Sequence, residues 1–171
     1  MSDSREWTIR REMPEDASGI RLLVTESFPT PAEARLVDAL RDAGRLTISC
    51  VALVGIRIVG HVAFSPVTAA KHCGGVGLAP LSVAADHRRR GIGAALVRHG
   101  LAECAAAGWT WCVVLGDPAY HARFGFRPAA RFGLVDEYDG GSAFGVLALA
   151  PGGIPDGAGL VRYAQEFGGL G

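Results

Sequence analysis

The chain has 171 residues, 49% of them apolar and 20% charged, with 17 basic and 17 acidic side chains. That length suits one domain with a full core, and the composition excludes a disordered chain. The even charge argues against a nucleic-acid partner, and no apolar run reaches the roughly 18 residues of a membrane-spanning helix.

Thr8 to Arg11 reads as a short strand. Pro14 suits a first helical position, and Ala17, Ile20, Val24 and Phe28 follow at helical spacing. Thr30-Pro31-Ala32-Glu33 reads as a capping box before a second helix with Leu36, Val37, Leu40 and Ala43 on its apolar side. Gly44 is placed to stop it. Ile48 to Val54 and Ile58 to Phe64 are strand signals separated by Gly55, with Pro66 as a terminator. Residues 69–75 read as a loop. Val76 to Val83 is a nearly unbroken apolar strand of the kind covered on both faces.

The segment Asp86 to Arg90 is basic and leads into Gly91-Ile92-Gly93-Ala94-Ala95, which opens a helix bounded by Gly108. Trp109 to Leu115 is another strand, and Trp109 and Trp111 read as packing residues. Asp117-Pro118 is an N-cap followed by a first-turn proline, opening a short helix over 118–124. Phe126 to Leu134 and Ala143 to Leu149 are the last strand candidates. Residues 151–171 read as a partly irregular arm on a core spanning about 7–150. The order β-α-α-β-β-β-α-β-α-β-β predicts an α/β fold with a mixed, mostly antiparallel sheet and helices on both faces. Its 76–115 unit is a right-handed crossover that makes those two strands parallel.

The strand-to-helix junction at 81–96 carries the chemistry. The first amides of a helix lack partners within it, and its dipole adds positive charge there. Glycine lets an anion approach the backbone, and Arg88, Arg89 and Arg90 add full charge. This reads as a diphosphate cradle. A dinucleotide fingerprint would need a third glycine where Leu96 stands. Cys50, Cys73, Cys104 and Cys112 show no C-x-x-C spacing and read mostly as buried free thiols, so neither a disulfide nor a metal site is expected. The N-terminal MSDSREWTIR has no signal-peptide core, and a reducing cytoplasm is expected.

Arg88-x-x-Gly91-x-Gly93 after an apolar strand resembles the acyl-CoA motif of the GCN5-related N-acetyltransferases (GNAT). Tyr120-His121-Ala122-Arg123-Phe124-Gly125-Phe126 is similar to that family's aromatic pair before Gly-Phe, at the family's separation. Pro31 to Arg41, Gly60 to Val67 and Gly116 to Leu134 resemble a bacterial small-molecule subgroup. Two positions depart from the pattern. Ala85 stands where proline is frequent, and His121 stands where the family often has tyrosine, with Tyr120 one residue earlier.

The resemblance implies acetyl transfer from acetyl-CoA to a primary amine by direct attack, without an acyl-enzyme on Cys104 or Cys112. It implies that Leu81, Ser82 and Val83 bind the pantetheine arm and that Arg88, Arg89, Arg90, Gly91, Ile92, Gly93, Ala94 and Ala95 bind the diphosphate. Asp117, Tyr120 and Phe124 complete the cofactor site. The Val83 amide is the implied donor to the thioester oxygen, and Tyr120 or His121 is the acid for the thiolate. Each has a bland role as well: a core aromatic for Tyr120, an exposed helix residue for His121. Glu26 and Glu33 are weak base candidates, Glu33 being first a capping residue. His61 reads as a packed strand histidine. The alternative function is a non-catalytic acyl-CoA sensor of the same fold. The family's partners are amine acceptors, among them antibiotics, polyamines, amino acids and protein termini, and it often dimerises through its C-terminal strands.

Overall fold

The structure is a computed structural model that describes residues 6–170. Its elements in order are β1 (Thr8–Arg11), α1 (Ala17–Ser27), α2 (Ala32–Asp42), β2 (Ile48–Val54), β3 (Arg57–Ala69), β4 (His72–Val83), α3 (Ile92–Ala106), β5 (Trp111–Leu115), α4 (Pro118–Ala122), β6 (Arg127–Pro128), β7 (Leu134–Asp136), β8 (Phe144–Ala148) and β9 (Gly159–Arg162). Short 3-10 turns join several of them. The strands lie in the order β1-β2-β3-β4-β5-β8-β6, with β9 paired to β3 and to β7. The pairings β4–β5 and β7–β9 are parallel, and the rest are antiparallel.

Alternation along β2 assigns the two faces. Cys50 and Ala52 pack with Ile92, Leu96, Val97 and Cys104, which puts α3 on one face. Val51, between them, packs with Ile20, Val24, Ala34 and Val37, which puts α1 and α2 on the other. The two stripes follow from spacing: Ala34, Val37 and Leu40 recur every three residues on α2, and Ile92, Leu96, Val97, Gly100, Leu101 and Cys104 recur every three or four on α3, with adjacent residues sharing the stripe. At Gly60 a side chain would need its neighbours to move. A Cβ there would stand 2.8 Å from Leu96 and 3.0 Å from Ile92, so the glycine lets α3 lie close on the sheet.

Several sequence expectations are corrected. β3 does not stop at Pro66. The Phe64 carbonyl accepts from Thr47 N–H, so by alternation the Pro66 nitrogen faces the same side, beyond the end of β2. Its missing donor interrupts no ladder bond there. Residues 69–75 form most of a tight hairpin instead of a loop, with Ala70 left-handed at φ 49°. Pro14 opens a separate 3-10 turn before α1. The capping box does not form: Pro31 takes the cap position of α2, and Thr30 Oγ1 accepts from Ala32 N at 3.3 Å. Phe126–Leu134 is not one strand but β6, a 3-10 turn and the start of β7. The arm contains β9, which adds to the sheet edge beyond β2 at Thr68 and Ala69.

Candidate functional site

The site begins where β4 and β5 part. Their ladder runs only from Gly75↔Trp111 to Leu78↔Val114, whereas β4 stays paired with β3 as far as Gly60↔Val83. The C-terminal half of β4 therefore has an open edge. Ala84 N–H donates to Val59 O, so Ala84 faces β3 and the peptide groups of Leu81 and Val83 face the open side. The Val83 carbonyl accepts from Arg88 Nε at 3.1 Å, and the Val83 N–H faces the same open side.

A short turn carries the chain from this edge to α3. Arg89 (φ 64°) and Gly91 (φ 86°) are left-handed, and Gly91 is the cap residue of α3. The first intrahelical bond is Ala95 N–H to Gly91 O at 3.0 Å. The amides of Ile92, Gly93 and Ala94 are thus free of the helix ladder, and no side chain among the described residues caps them. They border a cavity of about 220 Å³ lined by Val83, His87, Arg88, Arg89, Gly91, Tyr120 and Arg123 as well. A Cβ on Gly93 would stand 3.1 Å from the Tyr120 hydroxyl, so the glycine keeps the helix start and the phenol close. Asp86 anchors the turn: the Arg57 guanidinium, and behind it His87, hold its carboxyl well below the usual range.

Not every residue expected at the cradle lines it. Arg90 turns to Glu6, at 3.1 Å. Asp117 caps α4, accepting from Ala119 N at 3.0 Å. Phe124 packs edge-on against Tyr120 with ring centroids 5.4 Å apart, beneath Arg98, and so supports the cavity wall. The Ser82 side chain points to the α2 face, since Ser82 pairs with His61. His87 and Arg123 are lining residues the sequence reading missed. Arg123 is one turn from Tyr120 on α4 and stacks 4.6 Å from its ring, a signal present in the i, i+3 spacing.

The two acid candidates part company. Tyr120 faces the cradle. His121 is buried against Gly116 and Phe126 and lines a separate apolar cavity of about 320 Å³ with Val114, Pro128 and Ser142. Burial lowers its pKa, with Asp117 opposing. Glu26 lines a groove beside α1, and Glu33 has one carboxylate oxygen buried with no partner among the described residues. Burial pushes the Cys50 thiol up to about 11, the Cys104 thiol up to about 12 and the Cys112 thiol well up too, whereas Cys73 is exposed. Among the described residues no group of His, Cys, Asp and Glu could hold a metal ion, and no helix is long and apolar enough to cross a membrane.

Residues 11–126 match the model of the acetyltransferase (GNAT) family. The N-acetyltransferase YhbS of Escherichia coli is 42% identical over 162 residues, covering 93% of this chain and 97% of that protein. A crystal structure of Escherichia coli YhbS in complex with CoA superposes with a TM-score of 0.92 at 41% identity, over 96% of this chain and 93% of that one. A GNAT acetyltransferase from Brucella melitensis in complex with acetyl-CoA gives 0.79 at 37% identity, over 94% and 97%.

Proposed function

The chain belongs to the acetyltransferase (GNAT) family, and from that membership we propose that it transfers an acetyl group from acetyl-CoA to a primary amine by direct attack. The observation that carries this reading is the row of uncapped amides at Ile92, Gly93 and Ala94, set beside Arg88 and Arg89 at the mouth of the open β4 edge. Such amides suit a diphosphate, which brings the charge that an exposed helix start favours. The relatives crystallised with CoA and acetyl-CoA support the same ligand.

Each residue then has a task. The amides of Ile92 to Ala94 hold the diphosphate, and Arg88 braces the turn while adding charge. The outward peptide groups of Leu81 and Val83 bond the pantetheine arm as an added strand would. Acetyl-CoA supplies an activated thioester carbonyl. The Val83 N–H points to the side where that oxygen gains charge, and a fixed donor there acts without reorganising. Tyr120 protonates the departing thiolate, because its hydroxyl faces the cradle and His121 does not. Direct attack is supported by the raised, buried thiols of Cys104 and Cys112, which lack the thiolate a covalent route needs.

A thiol-release screen of acetyl-CoA against a panel of primary amines tests the proposal. Release with at least one amine is expected, reduced ~100-fold in Tyr120→Phe and little changed in His121→Ala. Tight CoA binding with no release from any amine would favour the sensor reading instead.

A further inference from the structure

A chain of polar side chains crosses the sheet on the face opposite α3. His61 is fully buried, and its Nε2 lies 2.8 Å from Ser49 Oγ. Ser49 Oγ donates to a Glu12 carboxylate oxygen. Glu12 also accepts from Arg41 Nε at 2.8 Å and Nη2 at 3.1 Å. Burial alone would raise the Glu12 carboxyl, but the bonds from Arg41 and Ser49 outweigh it and hold it below its ordinary value. Glu12, Arg41 and Ser49 line a surface cavity of about 250 Å³.

The donor sequence fixes the imidazole. An ionised Glu12 only accepts, so the Ser49 proton points to it. The Ser49 oxygen then accepts from His61, which places the ring proton on Nε2 and leaves a bare lone pair on Nδ1. That Nδ1 is buried and has no partner among the described residues. Ser82 stands directly across the ladder from His61, and paired residues share a face with Cβ atoms about 5 Å apart. Its Oγ is also buried without a partner among the described residues. Ser82 sits between Leu81 and Val83, whose peptide groups face the open edge. The same face continues to Ser65, whose Oγ is likewise buried and unpartnered, and to Tyr163, which covers Gly77 opposite Ser65.

We propose that His61, Ser49 and Glu12 form a proton relay that takes the proton of the attacking amine from the β4 edge to the surface. This rests on the acetyl-transfer reading above. The amine nitrogen bonds the thioester carbon and its N–H becomes acidic; the C–S bond then breaks, and the CoA thiolate leaves with a proton from Tyr120. The amine proton passes through the Ser82 hydroxyl to His61 Nδ1. The Nε2 proton moves to Ser49, the Ser49 proton moves to Glu12, and Glu12 yields it to solvent. Burial pushes the His61 pKa down to about 4, with Glu12 opposing and Arg41 reinforcing, so the ring passes a proton on and does not hold one. His61 and Ser49 are relay residues, and Ser82 meets the amine.

Two measurements decide it. Ring 15N shifts of His61 in the ligand-free protein should show neutral imidazole protonated at Nε2 from pH 6 to 9. A ring protonated at Nδ1, or an imidazolium, overturns the relay whatever the enzyme does with acetyl-CoA. With a turned-over amine from the panel, Ser49→Ala should lower kcat about tenfold or more and leave the KM for acetyl-CoA unchanged. It should also straighten a curved proton inventory in mixed H2O and D2O. Glu12→Gln should reproduce this, with CoA calorimetry confirming folded protein. Unchanged kcat in Ser49→Ala overturns the relay, as does loss of turnover in Glu33→Gln alone. A panel with no turnover sinks the acetyl-transfer reading, and with it the relay's role in catalysis, even if the tautomer is as expected.

Discussion

At the open half of β4 the two faces of the sheet are built from different materials. On the α3 face the polar groups are main-chain: the amides of Ile92 to Ala94 and the edge of Leu81 and Val83. On the α2 face they are side chains: His61, Ser49, Glu12 and Arg41, drawn from β3, β2, the segment after β1, and α2. A main-chain site is fixed by the fold and needs only that side chains stay out of its way. A side-chain chain needs each residue in place and charges each one a desolvation cost. Substitutions should therefore separate the faces: side-chain changes on the α2 face leave CoA binding alone, and added bulk on the α3 face leaves the relay alone.

The largest separation comes with acid. His61 has a folded-state pKa of about 4 against an ordinary value of 6.5. Between those values the unfolded chain binds a proton that the folded chain refuses. Stability is thus full above pH 6.5 and falls as the pH drops toward 4, by up to roughly 3 kcal/mol from this residue. Urea unfolding from pH 7 to pH 4 should show that slope, and His61→Gln should remove most of it. His121, lowered by burial as well, contributes a remainder with the same sign. An unaltered slope in His61→Gln would break the contrast, because the α2 face would then carry no buried neutral histidine.

Next in size is Gly93→Val. Its Cβ would meet the Tyr120 hydroxyl and its branches would cover the neighbouring amides. CoA affinity should fall ~100-fold, equivalent to about 2.7 kcal/mol, with the acid slope unchanged. The smallest effect is at the start of α4. There Asp117 accepts from the Ala119 amide, a side-chain cap that the start of α3 lacks. Asp117→Ala should cost about 1 kcal/mol of stability in thermal unfolding, with CoA affinity little changed. A loss of binding as large as that of Gly93→Val would make Asp117 part of the cradle and blur the difference between the two helix starts.

The same division explains what the sequence disclosed. The main-chain site was legible because strand, glycines and helix start are contiguous from 81 to 96, and their order alone dictates free amides. Most strands and helices from Thr8 to Leu115 were legible, the helices from apolar residues three to four apart and the strands from apolar, β-branched runs, but the hairpin at 65–75 was not, because Pro66 and the Gly74-Gly75 pair read as breaks. The relay was not legible, since residues 12, 41, 49 and 61 belong together only after β1, β2 and β3 pair. Residues 126–134 misled because Phe126, Ala129, Phe132 and Leu134 look like an apolar run, yet Pro128 and Gly133 (φ 69°) turn the chain at both ends of a 3-10 turn. β9 escaped notice because four residues, the first of them Gly159, are too few to show alternation. Tyr120 and His121 are adjacent, so they point about 100° apart on a helix. Spacing alone could not say which of them faces α3.

The central claim is that bare main-chain amides at the start of α3 hold a diphosphate. Calorimetry with CoA and with pantetheine, which lacks that group, tests it most directly. The account predicts saturable binding of CoA and at least ~100-fold weaker binding of pantetheine. Equal affinity for the two ligands, or no heat with CoA on folded protein, would contradict it.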